Sequence, residues 1–229
     1  MEPAAVPVGK HSQTPEKILR GLLICGIISS LLYVSIDILA IMRWEAYSWT
    51  DQNISELNAI GAPTRPLVIS LFGVYTVFVT AFGMGVWATG SRSRALRIAG
   101  ILLVGYALTG FGTGLFFPMQ LREGLAGGGS MHPIGTFVSS LFFLGAMWFA
   151  AAAQGKWFRL YTIMTVLIVI VFGAWTSMDV PRMIAQLPTP WMGLKERINI
   201  YSMMLWVMVL AASLLRVKMR PGAINCSDS

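Results

Sequence analysis

Six long apolar stretches, separated by short polar or Gly- and Pro-rich segments, dominate the pattern along the chain. Each is close to the roughly 20 residues that an α-helix needs to cross the hydrocarbon core of a bilayer. We place the spans at residues 19–42, 67–89, 98–118, 133–153, 159–178 and 199–217. The pattern predicts an all-α, polytopic membrane protein folded as a six-transmembrane-helix bundle. An even number of spans places both termini on the same side of the membrane.

Polar segments flank this predicted bundle at both ends. We therefore expect a flexible N-terminal arm at 1–17, a single transmembrane domain at 18–217 and a tail at 218–229. The third span carries several glycines, including the Gly110 and Gly114 pair with GxxxG spacing. Small residues let helix backbones approach closely in a membrane. We expect this span to be the central, most tightly packed helix, with a glycine-lined cavity wall as the alternative.

Composition supports the membrane assignment, since 55% of the 229 residues are hydrophobic and only 12% are charged. A soluble domain of this length cannot bury so much apolar surface, because small domains expose a large share of what they carry. The composition therefore excludes a soluble globular enzyme, a disordered chain and a nucleic-acid-binding module.

The net charge of +7 reflects topology. Eleven Lys and Arg residues fall in the arm, the tail and the loops on their side, against six on the opposite side. By the positive-inside rule, both termini are expected in the cytoplasm. Six of the ten acids lie on the predicted outer side, whose net charge is then zero. The expected partners are membrane lipids, anionic headgroups included, and not nucleic acid.

Asp37 is the one acid predicted to lie within a span. A carboxylate costs about 2.5 to 3.5 kcal/mol at the bilayer centre on insertion scales, and less near the interface. Asp37 is therefore expected to face the bundle or a wet cavity, and either to be functional or to pair with Arg197 or His132. Ser35 lies on a different helix face and is not an obvious partner.

Other polar residues are predicted at the same outer level and could converge with Asp37 around an outward-facing pocket. His132 begins the fourth span, Asp179 ends the fifth, Glu196 and Arg197 open the sixth, and Glu56 lies in the first outer loop. Each also has a structural interpretation. His132 could be an interfacial residue, Glu196 could lie in a first turn and favour the helix dipole, Arg197 could reach the headgroups, and Asp179 could end a helix.

Three segments carry a family resemblance. They are NISELNAIGAP at 53–63, GLFFP at 114–118 followed by His132 and Phe142–Phe143, and GLKER at 193–197. Together they resemble the bacterial and archaeal membrane family catalogued as domain of unknown function number 998, over roughly residues 18–217. The sequence departs from the family at Asn58, where Gly is usual, and at Met119–Gln120, where an acid often follows the Phe-Pro pair.

The resemblance implies a six-span bundle in a prokaryotic plasma membrane, and it singles out Ser55, Glu56, His132, Glu196 and Arg197. The candidate catalytic residues are Asp37, Glu56 and His132, and the candidate ligand-binding residues are Asn53, Ser55, Asp179, Glu196 and Arg197. No metal site is predicted, because His132 is the single histidine at membrane level and zinc needs three or four ligands. No cofactor is expected, since phosphate-binding and dinucleotide motifs are absent from the sequence.

Three hypotheses follow. The first is an outward-opening pocket that binds or processes a lipid headgroup or small amphiphile. Arg197 would hold an anion there, while Asp37, Glu56 and His132 would transfer protons or donate hydrogen bonds. The second is a proton-coupled small-molecule transporter that uses Asp37, although no internal repeat supports it. The third is an accessory or structural membrane protein without turnover. Neither catalysis nor the oligomeric state follows from the sequence.

Overall fold

The computed structural model describes residues 13–121 and 131–218. These residues form seven α-helices, namely α1 Gln13–Arg43, α2 Arg65–Thr89, α3 Arg94–Phe116, α4 His132–Ala153, α5 Lys156–Ser177, α6 Val180–Ile184 and α7 Met192–Lys218. Two short 3-10 turns lie at Ile54–Asn58 and Gly90–Arg92, and the described residues form no strand. Most of the predicted arm 1–17 and of the tail 218–229 lies outside the described residues.

Six helices, all except α6, are long and apolar enough to cross a membrane. The predicted six-helix architecture is therefore confirmed. The sixth membrane-spanning helix is α7, and it begins at Met192, seven residues earlier than predicted. The sequence-based boundary was wrong because the span was started only after the charged residues Lys195, Glu196 and Arg197, whereas their side chains are paired within the structure. Glu196 consequently lies beyond the first turn of α7, and its predicted place at the helix start was also wrong.

The six long helices form a closed ring. Each of α1 to α4 packs against the next helix in the chain, and α7 packs against both α5 and α1. The ring encloses an apolar core whose largest fully buried side chains include Trp206, Phe82, Phe143 and Leu103. Trp206 is anchored by a 3.0 Å hydrogen bond from its indole N–H to the hydroxyl of Thr162 on α5. Large apolar side chains on the outside of the ring are exposed, as expected of helices in contact with lipid.

Close packing of α2 and α3 depends on glycine, as the glycine content of α3 predicted. A Cβ on Gly100 would lie 2.5 Å from the Gly83 carbonyl oxygen and 2.6 Å from the Trp87 backbone nitrogen. The predicted Gly110 and Gly114 pair faces side chains and no helix backbone, since a Cβ on Gly110 would lie 3.4 Å from the Ser139 hydroxyl and one on Gly114 would lie 2.9 Å from the Asn58 side-chain nitrogen. The close backbone approach is therefore nearer the start of α3 than the GxxxG spacing indicated, and the spans of α1 and α7 are more buried than that of α3.

The connections at one end of the bundle form a structured layer. We call residues 44–64 and 178–191, which lie at the end opposite Gln13 and Lys218, the cap. Ala59, Ala62 and Met183 of the cap form a small apolar core with Met119, which follows α3, and Met192, which begins α7. Backbone hydrogen bonds hold it to its neighbours, from Leu194 to the Thr50 carbonyl at 3.0 Å and from Ile60 to the Met119 carbonyl at 2.8 Å. The ends of α1 and α7 are thereby covered by folded chain.

Candidate functional site

A buried ion pair joins α1 to α7 directly beneath the cap. Arg197 Nε donates to Asp37 Oδ2 at 2.9 Å, and Arg197 Nη2 donates to Asp37 Oδ1 at 2.8 Å. The side chain of Asp37 is 1% exposed and that of Arg197 is 5% exposed. Such bidentate pairs fix geometry as well as charge. Of the two partners considered for Asp37, the structure shows Arg197.

Two tyrosines complete the polar shell of this pair. Tyr201 lies one turn after Arg197 on α7 and donates its hydroxyl to Asp37 Oδ2 at 2.5 Å. Tyr47 from the cap accepts a hydrogen bond from Arg197 Nη2 at 3.1 Å, and its hydroxyl lies 2.8 Å from the Asn53 carbonyl and 2.9 Å from the Gln52 carbonyl. Both oxygens of Asp37 are therefore engaged, one of them by two donors.

The remaining guanidinium nitrogen of Arg197 binds the cap backbone. Nη1 donates to the Trp49 carbonyl at 2.6 Å and to the Gly193 carbonyl at 3.3 Å. Gly193 permits this approach, because a Cβ there would lie 2.6 Å from the Trp49 carbonyl oxygen and 3.0 Å from Arg197 Nη1. With Nε and Nη2 held by Asp37 and Tyr47, all five N–H groups of Arg197 have an acceptor.

Glu56 and Glu196 hold the turn at Ile54–Asn58 from two sides. Asn53 and Glu56 form a capping box, in which the Asn53 side chain accepts from the Glu56 backbone N–H at 2.9 Å and the Glu56 carboxylate accepts from the Asn53 N–H at 3.2 Å. Glu196 on α7 accepts a hydrogen bond from the Ile54 backbone N–H. Gln52 donates to Glu56 at 2.8 Å. These candidates thus share one cluster with the Asp37–Arg197 pair.

The environment of Tyr47 shows how strongly this cluster is shielded from water. Burial raises the pKa of Tyr47 well above its ordinary value of 10.0, against an opposing effect of Arg197. The carboxylates of Glu196 and Asp37 raise that pKa further. Tyr47 is therefore a neutral hydroxyl at any physiological pH, able to accept from Arg197 and to donate to the cap backbone.

Other predicted site residues lie apart from this cluster or at its edge. His132 begins α4, as predicted, and its Nδ1 lies 3.2 Å from the Phe117 carbonyl. The helix α4 packs against α3 and α5, whereas Asp37 and Arg197 lie on α1 and α7. Asp179 follows the end of α5, as predicted, and forms an ion pair with Lys195. Ser55 is half-buried on the turn beside Glu56.

Sequence reasoning missed several residues of the cluster. Tyr201 could have been found, because it follows Arg197 by four positions and such residues share a helix face. Tyr47, Trp49 and Gln52 carried no local signal, since their role depends on the path of the cap across the bundle. Lys195 was also missed, although its ammonium group pairs with Asp179 and lies 5.2 Å from the centroid of the Trp175 ring.

An open groove runs beside the cluster along the outer face of α7. Its volume is about 400 Å³, and it is lined by Trp49, Leu194, Arg197, Ile198, Tyr201, Ser202 and Leu205. All but Trp49 lie on α7 at helical spacing. A second groove of about 290 Å³ lies between α3 and α4, near Phe117 and Gly135. Among residues 13–121 and 131–218, no three His, Cys, Asp or Glu side chains are grouped closely enough to hold a metal ion.

Comparison with known proteins gives one match. No curated protein and no solved structure matches the chain. A family model described as "Protein of unknown function (DUF998)" matches residues 27–213, from within α1 to near the end of α7, and so includes the capping-box turn and the Asp37–Arg197 pair. The resemblance read from the three sequence segments is therefore confirmed, and the chain belongs to the DUF998 family of proteins of unknown function.

Proposed function

We propose that this protein binds a single-chain amphiphile, taken laterally from the bilayer into the groove along α7. The observation that carries the proposal is the position of the groove, which is apolar along its length and borders a polar cluster at its cap end. From Leu194 to Leu205 it follows α7 for about 16 Å at 1.5 Å per residue. This length is close to half of a hydrocarbon core about 30 Å thick, which is the depth of one leaflet.

The two ends of the groove differ in chemistry. Leu205 is 52% exposed at the deep end, and Ile198 and Leu194 continue the apolar wall. Trp49, 49% exposed, lies at the cap end together with Arg197 and Tyr201. A hydrocarbon chain matches the first part, and a polar head matches the second. Tryptophan is common where a membrane protein meets the headgroup level.

The geometry supports binding more than catalysis. A hydrolytic role that pairs His132 with Asp37 is not supported, because His132 lies on α4 while Asp37 lies on α1 and is bonded to Arg197. Asp37 Oδ2 accepts from both Arg197 and Tyr201. Proton-coupled transport through Asp37 would have to break these bonds in every cycle. A transporter therefore remains a hypothesis without a supporting contact.

A second candidate is an accessory role without turnover. It is favoured by the saturation of the Asp37 cluster, in which every guanidinium N–H and both carboxylate oxygens are hydrogen-bonded. Buried polar groups that are fully satisfied stabilise one arrangement of their surroundings. In this role the cluster would keep the cap fixed on α1 and α7, and no ligand would be needed.

Native mass spectrometry of the protein released from its own membrane tests the proposal. We expect a co-purified lipid-sized adduct on the natural protein, and its loss from Leu205→Trp, which fills the groove. The matched control is Leu167→Trp on α5, because Leu167 is also about half exposed but lies outside the groove. An adduct retained by Leu205→Trp, or absent from all three proteins, overturns the proposal. So does a dimer that Leu205→Trp disrupts, since a second copy would then occupy the groove.

A further inference from the structure

The hydrogen-bonding groups along the α7 groove identify the kind of head that the bound amphiphile carries. Arg197 is the cation that lines this groove. Its Nε and Nη2 are held by Asp37 and Tyr47, and its Nη1 is held by backbone carbonyls of Trp49 and Gly193. The charge of Arg197 is neutralised by the Asp37 carboxylate at 2.8 Å. An anionic head would therefore find no unused donor on Arg197 and no uncompensated positive charge in the groove.

Lys195 on α7 does not provide the free positive charge that an anionic head would need. The Lys195 ammonium is paired with Asp179 and lies over Trp175, and Lys195 does not line the groove. Moving an anion from water to a site without a partner costs far more than its hydrocarbon chain recovers. These contacts argue against phosphate, sulfate and carboxylate heads.

The uncharged polar groups of the groove form a complementary set. Tyr201 donates its only hydroxyl hydrogen to Asp37, and Ser202 donates its hydrogen to the Ile198 carbonyl at 2.6 Å. Each hydroxyl oxygen keeps a lone pair and can only accept a further hydrogen bond. The indole N–H of Trp49, by contrast, has no acceptor within the described residues and can only donate. A ligand that bonds to both kinds of group must both donate and accept hydrogen bonds.

A hydroxyl group meets this requirement, because one O–H can donate to Tyr201 or Ser202 while its oxygen accepts from Trp49. An ammonium head could donate to the hydroxyls but offers nothing to Trp49, and no carboxylate lines the groove to balance its charge. We propose that the groove binds an uncharged, hydroxyl-headed, single-chain amphiphile such as a monoacylglycerol or a long-chain alcohol. This inference rests on the proposed function and specifies its ligand.

The test compares three probes that share one chain length and differ in head charge. The protein is placed in phosphatidylcholine nanodiscs, and binding in excess of empty nanodiscs is measured for radiolabelled monolauroylglycerol, lauroyl lysophosphatidic acid and dodecylamine. We expect monolauroylglycerol to bind at least about tenfold more tightly than either charged probe. Leu205→Trp should abolish the excess binding, and Leu167→Trp should leave it unchanged.

Trp49→Phe separates recognition of the head from burial of the chain. The substitution keeps an aromatic wall and removes the N–H donor. It should therefore weaken the binding of monolauroylglycerol by roughly fivefold, the value of one hydrogen bond, and leave the binding of dodecylamine unchanged. Equal affinity for the three probes, or preference for a charged one, overturns this inference but leaves the proposed function standing, provided that Leu205→Trp still abolishes binding. If no probe binds in excess, or Leu205→Trp binds as the natural protein does, the proposed function itself fails.

Discussion

Arg197 on α7 and Asp37 on α1 lie 160 positions apart in the chain, and two hydrogen bonds of 2.8 and 2.9 Å join them inside the bundle. The hydrogen bonds from Arg197 to the Tyr47 hydroxyl and to the Trp49 carbonyl extend the pair to the cap. One ion pair therefore links the first helix, the last helix and the loop that covers them. The pair therefore holds the two helices and the cap together at this end of the bundle, with or without a bound ligand.

Removing one member of this pair should be more damaging than removing both. Asp37→Asn or Arg197→Gln leaves an uncompensated buried charge, which costs about 3 to 5 kcal/mol. The double variant should lose less stability than the sum of the two single variants. Thermal unfolding in detergent compares the stability of the natural protein, the two single variants and the double variant. Glu45→Gln, at an exposed residue of the cap, is the control. Additive losses would show that the two side chains do not act as a pair.

Tyr47 should make stability depend on alkaline pH. Burial raises the pKa of Tyr47 in the folded protein. Above about pH 10, the ordinary pKa of tyrosine, the unfolded chain loses this proton while the folded chain keeps it, so stability falls as pH rises. Tyr47→Phe should be less stable at pH 7 by about 1 to 3 kcal/mol, through its lost hydrogen bonds. It should also lose less further stability between pH 9 and 11, as unfolding midpoints at several pH values would show. A parallel decline in both proteins would refute the assignment.

Gly193 should tolerate no side chain. A Cβ there would lie 2.6 Å from the Trp49 carbonyl oxygen, inside the backbone contact that Arg197 also uses. Gly193→Ala should therefore cost about 1 to 3 kcal/mol, the usual range for overpacking. Gly21→Ala on α1 is the control, because nothing lies within 4 Å of its Cβ position. Equal unfolding midpoints for the two variants would mean that the cap can move away from α7 at little cost.

Gly100 should be equally restrictive on the opposite side of the ring. An added Cβ would meet the Gly83 carbonyl at 2.5 Å and push α2 away from α3. We expect Gly100→Ala to lower stability by about 1 to 3 kcal/mol, while Gly112→Ala on the same helix has open space and should be neutral or slightly stabilising. Protease resistance of the two variants in detergent gives a second readout. A stable Gly100→Ala protein would contradict the close packing of these helices.

The predicted orientation can be tested with the protein's own cysteines. If both termini are cytoplasmic, Cys226 in the tail should react with a membrane-impermeant maleimide only after the cells are opened. Cys25→Ser removes the other thiol, which lies within α1. The control is Glu45→Cys in the same background, which should react in intact cells because Glu45 is an exposed residue on the other side of the bundle. Labelling of Cys226 in intact cells would show that the termini lie outside the cytoplasm and would overturn the predicted orientation.

Much of this architecture could be predicted because a bilayer constrains a chain so strongly. Apolar runs long enough to cross the membrane had to be helices, since backbone groups in lipid must be hydrogen-bonded within their own segment. The start of α4 at His132 and the turn at Asp179 followed from local patterns. The start of α7 was misjudged because pairing hides charges inside a helix, and no local pattern reveals a partner that is distant in the chain.

Sequence alone determined the six spans, the membrane setting, the family and the anomaly of Asp37. These are properties of local composition and of the cost of polar groups in lipid. Only the tertiary structure decided that Asp37 pairs with Arg197, that Tyr201 bonds to Asp37 and that Tyr47 bonds to Arg197. It also decided that His132 lies on a helix apart from this pair and that a groove runs along α7. Those facts depend on how the ring closes and where the cap crosses it, because a contact between α1 and α7 is made by packing and leaves no trace in the spacing of residues along the chain.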